Sequence, residues 1–233
     1  MFAGFLLGHT PPMPFAKAPR QILACLARRC RNEIFWACIF SFLCCFGVLA
    51  EGGPKQVGER LLWEGGPFTF SDELGGFRIT GVSGSGSKAD PIVITEELLS
   101  ATPVTLVIRA NRPIRPYDSS SPDFVTGFTH FRFVIQNASA QAWIEFEFEL
   151  QEIPGKASVF GDGLSFDQRR VDGQDITSDS FATFSRDFEP YDRLLFQQGK
   201  VDPKKLAGFS FMITDFTPRW EFYLVQDPRI PAS

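Results

Sequence analysis

Glu145-Phe146-Glu147-Phe148-Glu149 is the segment of the chain whose residue types and spacing could do chemistry. Alternate residues of a β-strand share a face, so three carboxylates would line up here at steps of about 6.5–7 Å. Glycoside hydrolysis uses two carboxyl groups roughly 5–9.5 Å apart, one to protonate the leaving oxygen and one to attack or to activate water. The same row also fits the wet face of a half-buried strand, with neighbours such as Arg132 pairing the acids.

A second constellation is Gly161-Asp162-Gly163-Leu164-Ser165-Phe166-Asp167. Carboxylate oxygens in a tight Gly-containing loop suit Ca²⁺, which would make Asp162 and Asp167 metal ligands. The loop lacks the D-x-D-x-D-G ladder of an EF-hand and also reads as a Gly-Asp turn between strands. Asp172, Asp175 and Asp179 read as a solvated loop. Trp143 and Trp220 are candidate stacking platforms for a sugar ring. Asn137-Ala138-Ser139 is formally a glycosylation sequon at a turn. Ser85 lies in the Gly-Ser run Ser83–Ser87 and not in a G-x-S-x-G nucleophile elbow.

The background to these residues is set by the first 50. They hold five Lys and Arg (Lys17, Arg20, Arg28, Arg29, Arg31) against one acid, Glu33, followed by the charge-free run Ile34–Leu49 and then Ala50. A basic region, a short apolar region and a small-residue site make a secretory signal, with Met13 an alternative start. Sixteen residues of helix would span roughly 24 Å, short of the ~30 Å hydrocarbon core. An uncleaved membrane anchor is the rival reading, and in both the remainder of the chain is exported. Ser41-Phe42-Leu43 ahead of Cys44 does not resemble a lipobox.

Removing residues 1–50 changes the arithmetic. The whole chain of 233 residues carries a net charge of −4 and five Cys, all at or before Cys45. Residues 51–233 hold no Cys, one His (His130), and 18 Lys and Arg against 26 acids, a net −8. That balance argues against nucleic acid, whose binding depends on neutralising phosphates. A lone His confines any Ser-His-Asp triad to His130 and rules out a multi-His metal site. Nineteen of the 26 Phe remain, so aromatic burial is expected to supply much of a core formed without disulfides.

The elements that must position these residues alternate with period two and are broken by Gly, Pro and Asp. Strands are predicted at 67–70, 76–82, 91–95, 103–109, 128–136, 143–150, 181–184, 193–197, 207–214 and 220–225, with a helical turn at 96–100. Residues 111–124 read as a long surface loop within one domain, 51–233. The runs 128–136 and 143–150, joined by 137–142, read as a hairpin with one buried and one wet face. His130 and Arg132 share the wet face in this reading, with Trp143 beside the glutamates. Many short strands with no competing helical period predict an all-β fold: an antiparallel β-sandwich, jelly-roll-like, behind an N-terminal signal helix.

Two resemblances follow. Glu145–Glu149 resembles the E-x-D-x-E catalytic strand of laminarinase-like jelly-roll glycosidases, with Glu147 in place of the family's Asp. The resemblance implies Glu145 as nucleophile, Glu149 as acid/base and Glu147 as helper. Over residues 128–228, Asn137-x-Ser139-x-x-Ala142-Trp143-x-x-Phe146-x-Phe148-x-Leu150 and Gly161-Asp162-Gly163-Leu164-x-Phe166-Asp167 resemble exported bacterial β-sandwich modules of PEP-CTERM and choice-of-anchor surface proteins. Leu194-x-Phe196-x-x-Gly199-x-Val201, Phe209-x-Phe211-x-Ile213-x-Asp215 and Phe222-x-Leu224-x-Gln226-x-Pro228 extend it. Those proteins end in a sorting motif, an apolar helix and a basic tail, whereas this chain stops at Ile230-Pro231-Ala232-Ser233. Release into periplasm or medium is therefore expected.

The leading expectation is a non-enzymatic bacterial protein of the envelope or extracellular matrix, binding polysaccharide or protein and needing no cofactor. The alternatives are a glycosidase using Glu145 and Glu149 and a Ca²⁺-stabilised surface module using Asp162 and Asp167. A membrane is a partner only if the N-terminal segment stays uncleaved.

Overall fold

The computed structural model describes residues 55–57, 60–115, 123–159, 161–167, 175–186 and 188–231. All of them fall within one compact unit, Ala50–Ser233. The predicted signal segment, and the question of a signal helix, lie outside the described residues. Those residues form strands and no helix, as the period-two pattern predicts.

Two largely antiparallel sheets make up this all-β body. The first runs in the order β1 (Lys55–Val57), β2 (Arg60–Gly65), β3 (Phe68–Ser71), β6 (Val104–Ala110), β14 (Glu221–Arg229), β8 (Glu145–Gln151), β12 (Arg193–Gly199) and β11 (Phe181–Ser185). The second runs β10 (Thr177–Ser178), β13 (Leu206–Asp215), β7 (Phe128–Asn137), β5 (Ile92–Leu98) and β4 (Phe77–Ser83), with β9 (Leu164–Phe166) also on β13. One pair, β5 with β7, is parallel. A parallel pair needs a crossover connection, and here the chain leaves the second sheet for β6 of the first before returning as β7.

Alternation explains which side chains are buried. In β7, Phe131, Phe133 and Ile135 point inward, and in β8 Phe146, Phe148 and Leu150 do the same. The inward rings meet between the sheets: Phe133 lies 5.5 Å from Phe148, and Phe146 lies 4.7 Å from Phe209, centroid to centroid. Phe211 stacks on Phe133 and sets its ring edge-to-face against Phe148 and Phe166. Each such contact adds about 0.5–1.5 kcal/mol beyond the area it buries. The expectation that phenylalanine would supply the core therefore holds for the described residues.

Three expectations change. First, 128–136 and 143–150 are not a hairpin, because β7 pairs with β5 and β13 while β8 pairs with β12 and β14, in the other sheet. The link 138–144 arches between the sheets instead. Asn137, fully buried, holds the arch by donating to the carbonyls of Gln141 (2.8 Å) and Val201 (2.9 Å). Its Oδ1 accepts from the Ser139 amide and hydroxyl. The sequon asparagine is thus a buried clamp, with no exposed amide to accept a glycan.

Second, no helical turn forms at 96–100, since Glu96 to Leu98 continue β5 in register with β4 and β7. Third, β1, β2, β9 and β10 form where the alternation predicts no strand. The loop after Asn111 is pinned at its ends, where Val125 donates to Pro113 and Arg115 to Val125, 3.0 Å each.

Candidate functional site

The outer face of the first sheet carries the glutamate row. Antiparallel register sets Glu145, Glu147 and Glu149 of β8 opposite Arg229, Asp227 and Val225 of β14, and sets Glu147 and Glu149 opposite Leu195 and Arg193 of β12. Strand alternation therefore delivers four carboxylates and two guanidiniums to one patch, with the core phenylalanines behind it.

Every carboxylate in the row is engaged by protein donors. Glu145 Oε1 accepts from Gln197 Nε2 at 2.8 Å. Glu147 Oε2 accepts from Arg229 Nη2 at 2.7 Å, and Arg193 Nε stands 3.9 Å from its other oxygen. Glu149 has both oxygens bound, one by Arg193 at 2.6 Å and the other by Gln151 at 2.7 Å. Arg229 also reaches Glu145 (3.7 Å) and Asp227 (3.6 Å). The partner suggested by the sequence, Arg132, lies exposed on β7 in the opposite sheet, and Arg193 and Arg229 take its place.

Burial is uneven along the row. The Glu147 side chain is 7% exposed, against 30% for Glu145 and 14% for Glu149. Desolvation pushes the Glu147 carboxyl upward from its ordinary range, and Arg229 and then Arg193 pull it back. Asp227 is raised for the same reason, with Arg229 opposing. A glycosidase acid must offer its proton to a leaving oxygen. In this row the carboxyl of Glu147, which the resemblance casts as helper, is shifted toward holding a proton.

The two tryptophans part company. Trp143 is fully buried, packed 5.5 Å from Phe146 under the arch, with its backbone bridged to Val201. It is a core residue and not an exposed platform, contrary to the face assigned to it from alternation. The reason is that the strand proper begins at Glu145, after the arch has rotated Trp143 inward. Trp220 is 62% exposed, and its carbonyl is held by the Ala110 amide at 2.9 Å. An exposed aromatic that sequence reasoning did not single out is Tyr191, 48% exposed, with the Arg193 guanidinium 5.3 Å above its ring.

Asp162 is turned into its own loop. Its Oδ2 accepts from Ser158 Oγ (2.7 Å) and the Val159 amide (2.9 Å), and its Oδ1 from the Leu164 amide (3.2 Å). Gly163 takes a φ of +96°, which lets the chain reverse there, and Thr217 caps the Asp162 carbonyl at 2.6 Å. Asp167 lies beyond the end of β9, fully buried, and its amide donates to Met212. No three His, Cys, Asp or Glu side chains gather in a metal-holding group among the described residues.

Asp192 sits beside this loop, buried, its amide bound to Ser158. Burial raises its carboxyl to about 6, against the Ser165 hydroxyl, which lowers it. His130 is half-buried on β7, with Nε2 3.9 Å from Asp175 Oδ2, and desolvation lowers its affinity for a proton. Lys88 claims the other oxygen of Asp175 at 2.7 Å.

No family model, no curated protein and no solved structure matches this chain.

Proposed function

We propose that the protein is an exported, non-enzymatic β-sandwich of jelly-roll type that acts in a bacterial envelope or extracellular matrix by binding or by structure. The observation that carries this reading is the glutamate row, whose three carboxylates are each engaged by Arg or Gln side chains of flanking strands. Such a row supports a rigid face better than a nucleophile and a proton donor free to meet a substrate. The basic and apolar N-terminal sequence supports export, and the acidic remainder supports life outside the cytoplasm. The partners are envelope or matrix polysaccharide or protein.

Trp220 is the residue assigned to a glycan, because its indole is exposed just ahead of β14 and its carbonyl is held by the Ala110 amide. The test is a binding isotherm against a panel of envelope and matrix polysaccharides, wild type beside Trp220→Ala. Saturable binding that weakens roughly tenfold or more in the variant is expected. Binding that the variant retains in full would remove Trp220 from the site, and no binding across the panel would leave polysaccharide without support as the partner. Cell fractionation of the full-length protein tests export separately, and recovery in the cytoplasm alone would overturn that part.

A further inference from the structure

Glu96 and Gln226 form a polar pair inside the core. Glu96 lies on the inward face of β5 between Ile94 and Leu98, and Gln226 on the inward face of β14 after Leu224. The two strands belong to different sheets. Glu96 is 2% exposed and Gln226 fully buried. Neither carboxyl oxygen of Glu96 and neither amide atom of Gln226 completes a hydrogen bond in this geometry, although Gln226 is the side chain placed to bond Glu96.

Among the described residues, the register neighbours of the pair include no cation. Across β4 the register partner of Glu96 is Ile79, and across β7 it is Ile135. Gln226 is flanked in its own sheet by Val104 of β6 and Phe148 of β8. The charged group that bears on Glu96 is Asp72, whose carboxylate caps the Ile79 amide at 3.0 Å and adds repulsion. Glu97, the next residue, points outward to Arg78. An ionised carboxylate buried to this degree faces no counter-charge from its register neighbours, whereas a protonated one can donate to the Gln226 carbonyl. Burial accordingly lifts the Glu96 carboxyl to about 8, ahead of the opposing Gln226 contact.

We propose that Glu96 and Gln226 are a protonation-dependent latch between the two sheets, closed while the Glu96 carboxyl holds its proton. The proton stays on in the folded chain where the unfolded chain has already lost it. The contribution of Glu96 to folded stability is therefore fully present below the ordinary glutamate range, about 4.3, is lost as pH rises from there to about 8, and is level above it. Once ionised, the carboxylate is a buried charge without a counter-charge, and that desolvation cost favours parting of β5 and β14 at that point.

Thermal unfolding of wild type and Glu96→Gln from pH 5 to pH 9.5 tests this. Glutamine keeps the shape and removes the titration. The Tm advantage of the variant over wild type is expected to grow steadily from pH 5 to about pH 8 and then stay constant. Parallel curves over the whole range would overturn the proposal. Carboxyl NMR of wild-type protein labelled at glutamate gives an answer independent of how the variant folds. One glutamate resonance titrating well above pH 6, and absent from a Glu96→Leu sample where that variant folds, supports the latch. If every glutamate titrates below pH 6, the latch does not exist.

Discussion

Arg229 Nη2 lies 2.7 Å from Glu147 Oε2, and the two residues are diagonal neighbours: Arg229 faces Glu145 in register, while Glu147 faces Asp227. One guanidinium thus ties three carboxylates from two strands. Glu147, 7% exposed, depends on it most, because its other cation, Arg193, is 3.9 Å away and committed to Glu149. Arg229→Ala is expected to lower stability by about 1–3 kcal/mol, the cost of leaving a buried charge short of a partner. Urea unfolding measures it. Adding Glu147→Gln should recover part of the loss, and a double variant no better than the single would show that the pair is not coupled.

Trp143 and Trp220 should respond in opposite ways. Trp143→Ala opens a cavity beneath the arch and is expected to cost about 3–5 kcal/mol. Trp220→Ala should stay within about 0.5 kcal/mol of wild type. Chemical denaturation of both variants separates the core residue from the surface one, and equal losses would contradict the burial described.

The Asp162 carboxylate already holds three donors from its own loop. Asp162→Ala is expected to cost about 1–3 kcal/mol in the presence of EDTA, because Ser158 Oγ and the Val159 and Leu164 amides lose their acceptor. Calcium at millimolar concentration should leave the wild-type Tm unchanged. A rise with calcium that disappears in Asp162→Ala would instead establish the metal site, since a ligand selective for the folded state stabilises it.

Asp192 gives a second pH signature. Its folded carboxyl, raised to about 6, keeps a proton that the unfolded chain, near 3.9, gives up. Its contribution is present below about pH 4 and is lost as pH rises through 6. Asp192→Asn should therefore gain on wild type, by an amount on the order of 2 kcal/mol, between pH 4 and pH 7. A constant difference over that interval would mean that Asp192 titrates normally.

Reducing-sugar release from soluble β-glucans tests the glycosidase alternative. Wild type and Glu145→Gln are expected to give the same traces at background. Turnover by wild type that is abolished in the variant would make Glu145 catalytic despite its bond to Gln197.

Much of this architecture was legible from alternation alone, because alternation reports a physical fact: one face of a strand is dry. Phe131, Phe133 and Ile135, or Phe146, Phe148 and Leu150, announce their faces without reference to any partner. Partners are another matter. The link 137–142 suits a hairpin or an arch equally by composition, and only the buried Asn137 and Trp143 decide it. The glutamate row was visible as a row, but its counter-charges come from Arg193 and Arg229, 44 and 80 residues beyond Glu149. Glu96 was invisible for a different reason. A glutamate beside Glu97 reads as solvent-facing, and strand period places one of the two inside.

The place of β14 in its sheet has a consequence for biosynthesis. It lies between β6 and β8, so Glu221–Arg229 joins the two halves of that sheet. β14 is the last of these three strands to be synthesised, so β6 and β8 lack the strand that joins them until residue 229 is out. The nascent protein then offers chaperones a chain whose first sheet still lacks its joining strand. A reading frame cut short before Glu221 should yield a product cleared by proteolysis and not a smaller working version.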